Sequence, residues 1–318
     1  MTHHPDLDPT FIPILDAMAS MPTSSSLSPA EARTLWADAQ MGEGESVWQV
    51  RDMVVPGLGG GIPARLYVPH EPTALILYMH GGGWVMGDLE QHDPAVRAFA
   101  NRTRAAILSI NYRLAPENPF PAALEDAHAA LEWMHAHSFD LVARRGLPLL
   151  VAGDSAGGNL AAALSLVARN RGGSPIDGQI LIYPVLDGRC DTPSWSEHED
   201  CRILLATDMR WYWAHYTGKG SVRLDPRASP RQAASHAALP KTLIALAGID
   251  ILRDEGREYA GLLSAAGTDV TLLIYDALPH GFFNFSPFSP AAAAAFDELS
   301  AETRALIARL SRHAQSRS

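Results

Sequence analysis

The sequence predicts an α/β protein built on a mostly parallel central sheet. Three observations point that way. Short apolar runs alternate along the chain with longer segments whose apolar residues recur at helical spacing. The runs LILYM (75–79) and AILSI (106–110) are apolar or small at nearly every position, as strands covered on both faces are. The order strand, helix, strand then repeats toward the C-terminus, which is the rhythm of crossover connections over a parallel sheet.

Taken in order, Phe11–Met18 and Pro29–Gln40 have helical apolar spacing and are separated by the polar, proline-bearing hinge SMPTSSSLSP (20–29). VWQVRDMVV (47–55) and IPARLYVP (62–69) flank the glycine-rich stretch 57–61 and predict an antiparallel hairpin. Strands follow at Leu75–Met79, Ala106–Ile110, Leu149–Ala152, Ile180–Tyr183, Leu243–Leu246 and Val270–Tyr275. Helices are expected at Pro94–Arg104, Pro121–His137, Asn159–Asn170, Glu255–Ala266 and Ala291–Arg312. Segment 187–228 breaks the rhythm: it carries Trp195, Trp211 and Trp213, three of the seven tryptophans, with Tyr212, Tyr216 and both cysteines. It is too long for a plain connection. A lid packing on the N-terminal helices, or an added helical layer, accounts for it, and the two descriptions are compatible. The expected division is a helical cap from 1–45 and 187–228 on a core from 46–186 and 229–318.

Composition narrows the function. The 318 residues are 47% hydrophobic and 19% charged, with net charge −10, the profile of an ordinary globular protein. An acidic chain whose basic run does not exceed Arg144-Arg145 is a poor fit to a nucleic-acid backbone. Cys190 and Cys201 are the only cysteines and lack CxxC spacing, so reduced structural thiols in a cytoplasmic protein are expected. The start MTHHPDLDPTFIPILDAMASMP lacks the basic and apolar regions of a signal peptide, and no apolar run has the length of a membrane span.

The chemistry centres on VAGDSAGGN (151–159), where Ser155 lies between Gly153 and Gly157. As a bare pattern, Gly-x-Ser-x-Gly is weak. Its setting, after the strand PLLVA and before the helix NLAAALSLVARN, is that of a sharp elbow that lifts a hydroxyl above the sheet edge. The competing phosphate-binding turn lacks its lysine and its wider glycine spacing. A serine nucleophile needs a base, and the histidines after Ser155 are His198, His215, His236, His280 and His313. His280 follows the strand VTLLIYD and so falls at the sheet edge where the elbow sits; the others lie in the insertion, at the opposite sheet edge or on the tail. The acid is expected from AGIDILRDEG, with Asp250 directly after its strand and Asp254 suited to the helix start; Asp187 is a distant third. Asp154, beside the serine, belongs to the elbow and cannot orient His280. HGGGW (80–84) ends another strand, where glycine amides can converge on a developing oxyanion with that of Ala156. His80 is expected to be a structural hydrogen-bonding residue.

HGGGW (80–84), YRLAPE (112–117), GDSAGGN (153–159), DILRDEG (250–256) and HGF (280–282) together resemble the bacterial hormone-sensitive-lipase-like esterases, over residues 66–283 and in the family's order. The resemblance implies an α/β-hydrolase fold of about eight strands, with a helical cap. It implies the triad Ser155, Asp250 and His280, and an oxyanion hole from Gly81, Gly82 and Ala156. One residue departs from the pattern: Ile251 stands where the family usually has proline. A homodimer joined through the last strand and its neighbouring helix is compatible with the resemblance.

The expected activity is hydrolysis of a small-molecule carboxylic ester with a short to medium acyl chain, with no metal, cofactor, nucleic-acid or membrane partner. Trp84, Tyr183 and Leu204 are expected to line the substrate pocket. Activity should fall below about pH 6 to 6.5, where a histidine base becomes protonated. An amide, carbamate or N-acetyl hydrolase would use the same triad, and a ligand-binding member of the fold or an interaction protein are further readings.

Overall fold

The computed structural model describes residues 4–37, 42–173, 175–218 and 220–315, with side chains described through residue 312. One sheet of eight strands runs through the molecule: β1 (Gln49–Gly57), β2 (Gly60–Val68), β3 (Ala74–Met79), β4 (Ala105–Ile110), β5 (Leu149–Asp154), β6 (Gly178–Ile182), β7 (Lys241–Ile249) and β8 (Val270–Pro279). Their order is β1-β2-β4-β3-β5-β6-β7-β8. The first two pairings, β1 with β2 and β2 with β4, are antiparallel, and the rest are parallel.

The apolar runs explain both faces. Along β3, Leu75, Leu77 and Met79 enter one core while Ile76 and Tyr78 enter the other, as the two-residue side-chain period of a strand requires. The first core is closed by the helices Ala122–Ala136, Ala156–Arg171 and Arg253–Ala265, which supply Leu131, Leu160 and Leu263. Leu89–Thr103 and Pro290–Gln315 close the second through Phe99, Phe296 and Leu299.

Most expected elements form within a few residues of their predicted bounds. The helix expected to start at Pro94 starts at Leu89 instead. Asp88 accepts the amide of Gln91 at 2.8 Å and caps that helix, so nucleation precedes the proline. The helix expected over Pro29–Gln40 runs Pro29–Ala37, and residues 38–40 lie outside the described residues. Among the described residues of the insertion, two α-helices form, Ser194–Glu197 and Ala206–Thr217, followed by a 3-10 turn at Ser221–Leu224. The second meets the N-terminal segment: Asp208 accepts from the Ser25 amide at 2.7 Å, and the Tyr212 hydroxyl bonds Ser24 Oγ at 2.9 Å. Arg33 strengthens that closure, reaching the carbonyls of Val85 and Ala115 and the carboxylate of Glu117.

Cys190 and Cys201 are unbridged, and burial pushes both thiols up to about 12. Among the described residues, no helix is long and apolar enough to cross a membrane.

Candidate active site

Strand register builds the site. β3 ends with Met79 beside Gly153 of β5, so residues 80–83 leave the sheet next to Asp154 and Ser155. β7 and β8 end with Ile249 paired to Pro279 after an irregularity at Gly248, so Asp250 and His280 emerge side by side. Gly248 has no room for a side chain, because a Cβ there would strike the Asp276 backbone.

Ser155 sits at φ 54°, ψ −117°, between the end of β5 and the helix Ala156–Arg171. Such a backbone costs of order 1–3 kcal/mol and persists only where its surroundings hold it. Here they do. The Ser155 amide donates to Ile182 O at 2.9 Å, and its carbonyl accepts from Asn159 N at 3.0 Å and Val185 N at 3.2 Å. Gly157 must be glycine, because a Cβ would run into the Met79 carbonyl. Asn159 ties the elbow to its neighbours by donating to Val185 O at 2.9 Å and Ala228 O at 2.7 Å.

The Ser155 Oγ lies 3.0 Å from His280 Nε2, and His280 Nδ1 lies 2.6 Å from Asp250 Oδ2. All three residues are buried. The other Asp250 oxygen accepts the Leu252 amide at 3.0 Å, which fixes the carboxylate's rotation. This arrangement lets a serine proton pass to the imidazole while the carboxylate orients the ring. The remaining candidates go elsewhere. Asp254 accepts the Ser194 amide at 2.9 Å in the first turn of Arg253–Ala265. Asp187 pairs with Arg189 and Arg231. His198 contacts Arg253 at 2.9 Å, and His236 packs on Tyr259. The His313 side chain lies outside those described.

Two expected roles are corrected. The Gly81 amide donates to Asp154 Oδ1 at 2.9 Å and is therefore spent on a buried carboxylate. Of the three loop glycines, Gly82 and Gly83 line the cavity beside Ser155, both at positive φ. Their amides, with that of Ala156 at the first helical position, are the donors free of this carboxylate. Trp84 is fully buried away from the cavity and does not line it. Its ring stacks on Tyr216, centroids 4.2 Å apart at 7°, and packs tilted against Trp213 at 4.8 Å. It therefore anchors the glycine loop to the helix Ala206–Thr217. Tyr183 and Leu204 do line the cavity. Also on its wall are Trp36, Ile203, Tyr212 and Phe285, which are apolar or aromatic residues whose spacing carries no signal of a site.

Asp154 has a larger part than adjacency suggested. Besides Gly81, its Oδ1 accepts the Tyr78 hydroxyl at 2.7 Å, and Oδ2 accepts Asn284 Nδ2 at 3.1 Å. One buried carboxylate thus joins the glycine loop, the serine elbow and the loop after His280. Burial opposes its charge, but the facing His92 and the Tyr78 hydrogen bond outweigh that and hold the carboxyl down at about 2. His80 shows the opposite balance: burial, reinforced by the neighbouring His92, holds its imidazole down at about 4. The His80 Nδ1 lies 2.8 Å from the Gly81 carbonyl, and its ring stacks on Tyr112 with centroids 4.3 Å apart. Among the described residues, no three His, Cys, Asp or Glu side chains converge as metal ligands would.

A strand-to-helix serine elbow over a mostly parallel eight-stranded sheet, with an aspartate and a histidine delivered by the last two strands, defines the α/β-hydrolase class. The chain belongs to that family: the family model described as alpha/beta hydrolase fold matches residues 76–284, and within it the chain is one of the hormone-sensitive-lipase-like esterases. It is 42% identical to the carboxylic ester hydrolase LipN of Mycobacterium tuberculosis, covering 82% of this chain and 71% of that protein. It is 35% identical to an ethyl acetate hydrolase of Pseudomonas putida over 70% of this chain and 72% of the relative. Among solved structures, the hyperthermophilic esterase of Pyrobaculum calidifontis superposes with a TM-score of 0.88 at 38% identity, covering 94% of this chain and 98% of that one.

Proposed function

We propose that this chain is a serine carboxylesterase acting on small-molecule esters with a short acyl group. Ser155 attacks the ester carbonyl as His280 takes its proton, and Asp250 holds the imidazole in the required tautomer. The oxyanion is received by the amides of Gly82, Gly83 and Ala156. Collapse breaks the bond to the alcohol oxygen, which leaves with the proton from His280. Water then attacks the acyl-serine by the reverse sequence, releasing the acid and restoring Ser155. Residues 1–45 and 187–228 serve as the cap over this site.

The observation that carries the reading is the continuous hydrogen-bonded chain from Ser155 through His280 to Asp250, at 3.0 and 2.6 Å, on a strained elbow. The relatives named for ester hydrolysis, one of them for ethyl acetate, support the substrate class. The test is Ser155→Ala with p-nitrophenyl acetate and a fluorophosphonate probe. The expected result is a loss of turnover of at least about 1,000-fold, with loss of labelling. Labelling that persists in the variant would overturn the nucleophile assignment.

A further inference from the structure

Two cavities meet above Ser155. The inner one holds about 80 Å³ and is lined by Ser155, His280, Gly82 and Gly83. The outer one holds about 580 Å³ under the N-terminal helices, a size that accepts a drug-sized ligand. They share the walls Trp36, Ile203, Tyr212 and Phe285. The outer chamber is otherwise bounded mainly by apolar side chains such as Ile14, Met18, Leu35 and Phe288. Among the described residues, its two charged side chains are both engaged: Arg202 caps the carbonyls of Met18 and Ala19, at 3.0 and 3.3 Å, and Asp208 holds the Ser25 amide at 2.7 Å.

The inner cavity adjoins the chamber beside both the glycine loop, where a Cβ on Gly83 would strike the shared wall Tyr212, and the histidine loop. A Cβ on Gly281, next to His280, would lie 3.3 Å from Phe285 and 3.5 Å from Ile203, two of the four residues shared with the chamber. The histidine must protonate the departing alcohol oxygen, so the alcohol half of the ester lies on that side. The rest of the inner cavity ends against Gly87, Gln91, His92 and Asn284, none of which borders the chamber. That end, whose residues do not border the chamber, is left for the acyl group.

Resting on the esterase reading above, we infer that the preferred substrates are esters of a small acid with a bulky, uncharged, apolar alcohol, the alcohol occupying the chamber beneath the N-terminal helices. Size alone would be satisfied by either half of an ester. The chamber's position beside His280 selects the alcohol, and its engaged charges select against an ionic group.

Octyl acetate and ethyl octanoate test this, because they are isomers with the same carbon count and opposite division. The expected kcat/KM for octyl acetate exceeds that for ethyl octanoate by at least about tenfold, a difference of about 1.4 kcal/mol in transition-state binding. An equal or reversed ratio overturns the inference, whereas failure to hydrolyse p-nitrophenyl acetate would overturn the esterase reading itself. Filling the chamber with Ala17→Trp is expected to lower the ratio of octyl acetate to ethyl acetate turnover by about fivefold or more, which is about 1 kcal/mol. An unchanged ratio in that variant shows that the alcohol does not enter the chamber.

Discussion

Asp154→Leu separates the two tasks of the buried carboxylate, holding the fold and holding the reactive loops. Leucine keeps the branching at Cγ but offers no acceptor. The Tyr78 hydroxyl and the Gly81 amide, both in fully buried residues, then lose their partner. Each orphaned donor costs about 1–3 kcal/mol, so we expect a loss of about 4 kcal/mol, a large share of the roughly 5–15 kcal/mol that holds a domain together. Asn284 is partly exposed and can turn to water, so it adds little. Losing its tether at Gly81, the glycine loop is free to shift its following amides, and a misplacement of about 1 Å in such a site costs about 100-fold. Urea unfolding and steady-state kinetics with p-nitrophenyl acetate measure both effects. The expected pattern is a lower unfolding midpoint at unchanged m-value and a kcat reduced about 10- to 100-fold with KM little altered. Asp154→Asn should be far milder, about 1 kcal/mol, because its oxygen still accepts from Gly81 and Tyr78 while Asn284 turns its own amide to match. A leucine variant that loses stability yet keeps kcat within twofold of the parent would refute the positioning role.

Two further outcomes are expected. Gly83→Ala places a methyl against the Tyr212 ring at a backbone φ of 62°; left-handed backbone and overpacking together cost about 2–4 kcal/mol, and kcat should fall more than KM rises. Stability should depend on pH through His80. Its folded value of about 4 lies below the ordinary 6.5, first because of burial and then because of His92. The unfolded chain therefore binds a proton between those values that the folded chain refuses, so this group's full contribution is present above pH 6.5 and is lost as pH falls toward 4. The loss reaches about 3 kcal/mol at the lower end. Attraction between His92 and Asp154 raises the His92 imidazole against its burial and works in the opposite direction, so the comparison is between slopes: unfolding free energy from pH 7 to 4.5 should fall more steeply in the parent than in His80→Gln. Parallel slopes would show that His80 is not the group concerned.

Much of this site was legible in the chain because it is written in short, local patterns. Ser155 stands out through two glycines and the change from an apolar strand to a helix. Asp250 and His280 stand out because each follows a strand directly. Gly81 and Trp84 misled for a shared reason. A run of three glycines and a tryptophan announces a loop that approaches something, but not what each amide or ring faces. That depended on Asp154 reaching across from a neighbouring strand to take the first amide, and on Tyr216 receiving the indole from a helix more than a hundred residues away. Trp36, Ile203 and Phe285 had no local signal at all, since one apolar residue on a helix or loop looks like another until the elements are packed.

By itself the sequence determined the class of fold, the order of its strands and helices along the chain, and the three residues of the proposed reaction, because backbone periodicity and turn chemistry are local. Tertiary structure alone decided which loop-glycine amides escape the buried carboxylate, that one buried aspartate ties three loops together, and that a small cavity at the serine shares walls with a large, mainly apolar chamber. Those features are distances between segments far apart in the chain. They arise only when strand register and helix packing bring the segments together.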